Sequence, residues 1–161
     1  MTCTANAQLV ALWRSPQKGA AMERATSVEL VAGRGLVGDR RFSLSTPARS
    51  QVTLIESEAL AAAMALLKDA RGVDTEPSAR RNLITRGVAL NHLIGRSFFV
   101  GDALLRGVEL CEPCGHLAKL TSRDFERALV HRGGLRCEIL TSAVVSEGAA
   151  VRLVDTEATA P

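Results

Sequence analysis

The sequence predicts a mainly β protein whose strands form a closed or nearly closed β-barrel, with two or three helices in the connections. Three observations support this fold class. Short runs of alternating or β-branched apolar residues recur, turn signals fall roughly every ten residues, and strand and helix patterns do not alternate, which argues against βαβ units. The 161 residues suit a single domain over 1–161, with a core at about 7–155 and a disordered tail at 156–161.

About seven or eight strands are predicted from these runs. They lie at 7–15, 26–33, 49–55, 80–85, 133–140 and 149–156, with two more in 89–111 that divide near Gly101. The glycine-rich segment 33–42 interrupts the series and is expected to form an irregular loop. Because aromatic residues make up only 3% of the chain, the core between the strands is expected to be aliphatic.

Helix signals are concentrated in three segments. Residues 56–70 are rich in Ala and Leu, with acidic residues at the start and Lys68 near the end, an order that suits the helix dipole. Residues 122–131 form a shorter candidate with Ser122 as the N-cap. A third short helix is expected over 113–120, because Pro113 suits the first helical position.

Composition narrows the class of protein. The net charge of +3 and the few aromatic side chains give no sign of a nucleic-acid surface. No apolar run is long enough to span a membrane, and the first residues lack the basic and apolar regions of a secretory signal. Four cysteines in such a chain are typical of reduced thiols, so a cytoplasmic protein without nucleic-acid or membrane partners is expected.

The segment CEPCGHLAKL, residues 111–120, carries the densest set of reactive side chains. Cys111, Cys114 and His116 could join His131 in a zinc-stabilised, non-catalytic binding module, although a second tight ligand pair is missing. A dithiol exchange pair would need a βαβ context. Both cysteines could also be small buried apolar residues.

A single reactive cysteine is the remaining interpretation of this segment. With Pro113 at the start of a short helix, Cys114 would lie in the first turn, where unpaired backbone N–H groups favour a thiolate. The candidate catalytic residues are Cys114, Cys111 and His116, and Cys114 is the candidate ligand of a soft metal. A Schiff base with pyridoxal phosphate is not expected, since Lys119 is the only lysine nearby.

Basic and glycine-rich segments could supply a phosphate pocket. Arginine side chains and backbone N–H groups in these segments are suited to an anion, although an ordinary turn or a solvated edge explains any one of them alone. If the segments converge at one mouth of the barrel, they would bind a phosphorylated ligand. The candidate cofactor-binding residues are Gly38, Asp39, Arg40, Arg41, Arg81, Asn82, His131 and Arg132.

The order of these segments resembles the MOSC domain family, the C-terminal domains of molybdenum cofactor sulfurases and their stand-alone relatives. The resemblance runs over about 31–154 and rests on GLVGDRRF, RSQVTLIESEAL, RRNLIT, CEPCGHLAKLT and HRGGLRCEIL. It implies a barrel-like β fold and binding of the molybdenum cofactor, a pterin dithiolene that carries a phosphate group. The functional cysteine of the family matches Cys114, with Cys111 as the second choice.

The resemblance implies two roles for that cysteine. It would carry sulfur, or it would hold molybdenum in a small reductase module related to enzymes that act on N-hydroxylated compounds. The expected partner is then a sulfur donor, such as a cysteine desulfurase, or an electron-transfer protein. Since the sequence contains no pyridoxal-phosphate-dependent desulfurase domain, this chain is not expected to release sulfur from cysteine by itself.

Overall fold

The computed structural model describes residues 6–155, and within this range the chain forms eleven strands and four α-helices. The strands are β1 (Gln8–Arg14), β2 (Glu23–Ala25), β3 (Ser27–Val31), β4 (Gly35–Leu36), β5 (Val52–Glu56), β6 (Leu83–Arg86), β7 (Ser97–Val100), β8 (Ala103–Leu110), β9 (Leu135–Thr141), β10 (Ala143–Ser146) and β11 (Val151–Leu153). The helices are α1 (Ser57–Leu66), α2 (Thr75–Ala79), α3 (Gly115–Leu120) and α4 (Arg123–Ala128). The predicted disordered tail, 156–161, lies outside the described residues.

Two sheets account for the strands. The larger has the order β11-β7-β8-β9-β5-β6-β1-β2, and the smaller has the order β10-β3-β4. All pairs are antiparallel except β5 and β6, which run parallel and are joined through α1 and α2. This connection is a βαβ unit, so the expectation that the fold has none is wrong. The mainly β class is confirmed.

The strand ladders form an open order rather than a closed barrel, and closure stays a prediction. At one point β1, which lies next to the end strand β2, meets the segment before β11 at the other end of the large sheet. An isolated bridge joins Gln8 in β1 to Ala150, the residue before β11. Backbone hydrogen bonds from Leu9 N to Ala149 O (2.8 Å) and from Val151 N to Ala7 O (2.9 Å) flank this bridge.

The core consists of two apolar clusters on opposite faces of the large sheet. Leu54 in β5 and Leu83 in β6 belong to one cluster, whereas their neighbours Ile55 and Ile84 belong to the other, with Phe125 of α4. Consecutive residues of a strand face opposite sides, so these two central strands are covered on both faces. That double coverage explains why consecutive residues are buried in both strands, Leu54 and Ile55 in β5 and Leu83 to Thr85 in β6.

The helices differ from the prediction in length and number. The helix predicted over 56–70 ends at Leu66, and a separate short helix, α2, follows it. The Ser122 N-cap is confirmed, because its hydroxyl accepts a hydrogen bond from Phe125 N at 3.1 Å. Among residues 6–155, none of the helices combines the length and the apolar character that a membrane span requires.

Candidate functional site

A cleft of about 120 Å³ opens where β1 ends, where β5 and β6 begin, and where the chain leaves β8. Six separate segments of the sequence meet there, and most of the predicted site residues are among them. The lining consists of Ser15, Asp39, Arg40, Arg41, Ser50, Thr53, Arg80, Arg81, Asn82, Cys111, Glu112, Cys114, His116, Leu117 and Arg136. We call Asp39, Arg81 and Asn82 the floor, and Arg40, Arg41, Arg80 and Arg136 the rim.

Asn82 connects the elements that form the floor. Its Oδ1 accepts hydrogen bonds from the backbone N and the hydroxyl of Thr53, both at 3.1 Å. Its Nδ2 donates to Trp13 O at 3.2 Å and to Asp39 Oδ2 at 3.1 Å. The same Asp39 oxygen accepts from Ser15 N at 2.9 Å. This network joins the glycine-rich loop to β1, β5 and β6, and it leaves no unpaired donor on the Asn82 amide for a ligand.

Arg81 is a buried cation that bonds only to backbone carbonyls. It is 8% exposed, and its guanidinium donates to Gly133 O (2.7 Å), Ala79 O (2.9 Å) and Cys111 O (3.0 Å). Gly133 has no room for a side chain, because a Cβ there would collide with Cys111 O. Arg81 therefore fixes the segment that carries the cysteines against α2 and the start of β9.

The rim carries cations that repel one another. Burial lowers the pKa of Arg41, and the charges of Arg40 and Arg136 lower this pKa further. Burial and the charge of Arg40 likewise lower the pKa of Arg80. Within residues 6–155, the guanidinium groups of Arg40 and Arg41 make no ion pair or side-chain hydrogen bond. An anion in the cleft would relieve this repulsion and accept charge-assisted hydrogen bonds.

Arg80 occupies its place on the rim at a conformational cost. It is the C-cap of α2, with φ 58° and ψ 40°, in the left-handed region that normally favours glycine. For a side chain with a Cβ this conformation costs about 1 kcal/mol. The one side-chain hydrogen bond that it makes among the described residues runs to Ser15 Oγ at 3.2 Å. Arg80 also lines the cleft.

The cysteines of the segment 111–116 have different exposure. Cys114 is exposed, whereas Cys111 is 2% exposed, and both line the cleft. Cys114 is the N-cap of α3, with extended backbone angles of φ −135° and ψ 170°, so the prediction that it lies within the first helical turn is wrong. The helix begins at Gly115, two residues later than the predicted start at Pro113, and Cys114 keeps an extended backbone.

Three predicted contacts lie outside the cleft. Gly38 has φ +87°, and a Cβ there would lie 3.0 Å from the Arg14 guanidinium. Glycine is therefore favoured at this position by the backbone conformation of the loop rather than by a ligand. The His131 side chain is 81% exposed, and its Nδ1 lies 3.2 Å from Glu112 Oε2. Arg132 is exposed, and its charge acts on Glu56, whose pKa is raised by burial.

Sequence reasoning did not select several residues of the lining. Arg80 and Arg136 belong to basic segments that the sequence does point to, RRN and HRGGLR, so their charge was a usable signal. The other lining residues that were not selected show no distinctive pattern in the sequence, and they reach the cleft because of where the strands end and α3 begins. They are Ser15, Ser50, Thr53, Glu112 and Leu117.

The zinc alternative is not supported by the arrangement of side chains. Between residues 6 and 155, no three or more His, Cys, Asp or Glu side chains are grouped so that they could hold a metal ion. The proposed set of Cys111, Cys114, His116 and His131 is not assembled, since Cys111 is buried and His131 pairs with Glu112. A structural zinc site needs all four ligands in one tetrahedron.

The segments that build the cleft also carry the family relationship. The model of the MOSC domain family matches residues 37–152, which include residues 37–42 of the glycine-rich loop, Cys111 and Cys114, and the start of β9. The chain belongs to the MOSC domain family. No curated protein sequence matches it.

Solved structures with this MOSC fold include three bacterial proteins. YuaD from Bacillus subtilis superposes with a TM-score of 0.76 at 17% identity, over 90% of this chain and 93% of that one. YiiM from Escherichia coli gives a TM-score of 0.70 at 18% identity, over 94% and 72% of the two chains. YiiM from Geobacillus stearothermophilus gives 0.69 at 16% identity, over 92% and 75%. At these identities the likeness concerns the fold.

Proposed function

We propose that this MOSC domain binds the molybdenum cofactor in the cleft, with the rim arginines on its phosphate and the Cys114 thiolate as a ligand of the metal. The observation that carries the proposal is the position of Cys114. Its exposed side chain lines the same cleft as the four rim arginines, which come from three separate segments of the chain. A soft anionic ligand and a cationic phosphate site are the two features that such a cofactor requires.

The donor set fits the group. The dithiolene of the cofactor provides sulfur ligands itself, so the protein needs to contribute only one thiolate. A single accessible cysteine is therefore adequate, and Cys114 is exposed. When bound, the cofactor would supply a redox-active metal for the reduction of a substrate.

Different residues of the cleft would have different roles in binding the cofactor. The rim arginines would bind and neutralise the phosphate, and partial burial of Arg41 and Arg80 strengthens such contacts because less water competes for them. The floor would hold the loop and the cysteine segment in position through the bonds of Asn82 and Arg81. Exposed His116, in the turn after Cys114, would be a polar neighbour of the bound group.

A sulfur-carrier role is the second candidate, and the exposure of Cys114 favours it, because another protein could reach this sulfur. The Cys114 thiolate would attack the outer sulfur of a cysteine persulfide on a desulfurase. A new S–S bond then forms, the donor's S–S bond breaks, and the donor cysteine leaves as a thiolate. Cys114 would hold the sulfur as a persulfide until an acceptor takes it.

Molybdenum analysis after incubation with the isolated cofactor tests the first candidate. We expect about one molybdenum per chain, and loss of it in Cys114→Ala. The matched control is Cys3→Ser, which removes a cysteine outside the matched region 37–152. Equal molybdenum in Cys114→Ala and in the unmodified protein would remove the role of Cys114. If molybdenum stays absent from both, but Cys114 gains the mass of one sulfur from a desulfurase and cysteine, the carrier role is favoured.

A further inference from the structure

A second, larger cavity adjoins the cleft and shares one residue with it. This groove has a volume of about 360 Å³ and is open to the surface. Arg80 lines both the cleft and the groove. The groove walls are otherwise mostly apolar, and they consist of Trp13, Ala21, Met22, Asp74, Pro77, Ser78, Arg80, Leu120 and Thr121.

The cleft alone is small for a complete organic ligand. Sites for such ligands usually measure roughly 300–1,000 Å³, whereas the cleft measures about 120 Å³. It accommodates a charged group, and the rest of the same molecule must extend beyond it. The groove is the adjoining space, and Arg80 stands at the border between the two.

Helix α3 runs from the cleft to the groove, so its length indicates the distance that a ligand across both cavities would span. Cys114, its N-cap, lines the cleft, and Leu120, its last residue, lines the groove. Six helical residues rise by about 9 Å. A molecule that reaches from the cysteine to the far wall of the groove is therefore about as long as two fused or linked rings with a short charged arm.

The walls of the groove favour a flat ring over a flexible chain. Trp13 is held in place, because its Nε1 donates to Glu76 Oε2 at 3.1 Å, and Met22 and Pro77 offer further contacts. Indole and thioether groups pack well against aromatic faces. The planar guanidinium of Arg80 can stack on a ring while it binds an anion.

We propose that the groove binds the aromatic body of a ligand whose anionic group occupies the cleft, so that one molecule lies across Arg80. The ligand class is an aryl or heteroaryl compound with a phosphate or similar anion at one end. This inference rests on the anion site of the proposed function, but it does not depend on which cofactor or substrate the protein uses.

Calorimetry with three probes tests the proposal: inorganic phosphate, phenyl phosphate and 4-biphenylyl phosphate. We expect the affinity to rise along this series, with 4-biphenylyl phosphate at least about tenfold tighter than inorganic phosphate, because each ring removes apolar surface from water. Leu120→Ser should reduce the affinity for the biphenylyl probe about threefold and leave that for phosphate unchanged. The matched control is Leu66→Ser, which also removes an exposed leucine from the last position of a helix, but away from both cavities.

Trp13 provides a second readout, because it is the only tryptophan in the chain and lines the groove. Bound 4-biphenylyl phosphate should protect Trp13 fluorescence from quenching by acrylamide, whereas inorganic phosphate should not. Equal affinities for all three probes, or tighter aryl binding without protection of Trp13 and without an effect of Leu120→Ser, would overturn the groove assignment while the anion site stands. If neither phosphate nor the aryl probes bind, the anion site is refuted and the groove assignment with it.

Discussion

Apart from Arg136, the floor and the rim of the cleft come from the same two short sequence segments but have different properties. In the RRN segment, Arg80 lies on the rim, whereas Arg81 is buried with three carbonyl partners. In the glycine-rich loop, Asp39 accepts hydrogen bonds within the floor, whereas Arg40 and Arg41 have no ion pairs among the described residues. Adjacent residues therefore divide between holding the site together and presenting charge to a ligand.

The comparison of floor and rim shows that an arginine can line a cavity without being available to a ligand. What distinguishes the two groups is whether the donors already have partners. Floor donors are satisfied by the protein, so their loss should affect the free energy of unfolding. On the rim, Arg40 and Arg41 have no side-chain partner among the described residues and repel neighbouring cations, so their loss should affect anion binding and leave stability nearly unchanged. Arg136 is intermediate, because its guanidinium also lies 3.6 Å from Glu109.

The largest effect is expected for Arg81→Met. The substitution leaves Gly133 O, Ala79 O and Cys111 O without their donor in a buried place. Each orphaned carbonyl costs roughly 1–3 kcal/mol, so the free energy of unfolding should fall by about 3 kcal/mol or more. Urea denaturation followed by circular dichroism measures this. A loss below about 1 kcal/mol would place Arg81 among the ligand contacts instead.

The same contrast between buried and exposed groups predicts different rates of reaction for the cysteines. Burial raises the pKa of the Cys137 thiol, whereas Cys114 is exposed on the rim side of the cleft. A raised pKa lowers the thiolate fraction at a given pH, and only the thiolate is alkylated readily. With iodoacetamide at pH 8, Cys114 should react many times faster than Cys137, because the buried Cys137 thiol is shielded from the reagent and its raised pKa disfavours the thiolate.

Peptide mapping by mass spectrometry follows the two rates in a Cys3→Ser background. Labelling of Cys137 should rise only when urea unfolds the chain, and buried Cys111 should resemble Cys137 rather than Cys114. Equal rates for Cys111 and Cys114 would mean that the cysteine segment opens in solution, and Arg81 would then hold it less firmly than its three hydrogen bonds indicate.

A smaller effect is expected for Arg41→Ala, on binding rather than on stability. The substitution removes one charge-assisted contact, so affinity for inorganic phosphate should fall about tenfold. The free energy of unfolding should change by less than about 0.5 kcal/mol, since this side chain has no partner within residues 6–155 and repels Arg40 and Arg136. The matched control is Arg86→Ala, an exposed arginine at the other end of β6. Equal losses of affinity in both variants would indicate a diffuse charge effect rather than a site.

The sequence predicts some of these features and not others, for identifiable reasons. A short apolar run predicts β1, alternation with β-branched residues predicts β3, and the Ser122 signal predicts the start of α4. The two-residue strand β4 has too few residues to show any period. The division between Arg80 and Arg81 depends on the left-handed angles at Arg80 and on the parallel pairing of β5 with β6, which brings distant segments together. Neither of these is visible in local sequence.

Arg80→Gly should have the smallest effect of these substitutions, and it should separate the effect on stability most clearly from the effect on phosphate binding. Glycine relieves the left-handed strain at φ 58° but gains freedom in the unfolded chain, so the free energy of unfolding should rise by only about 0.5 kcal/mol. Phosphate affinity should nevertheless fall. His131→Gly is the matched control, because His131 has φ 63° but lies outside the cleft, so it should give the stability gain without the loss of affinity. If Arg80→Gly instead keeps full phosphate affinity, the strain at Arg80 is a property of the helix end, and the bond to Ser15 Oγ, rather than a ligand, accounts for its position.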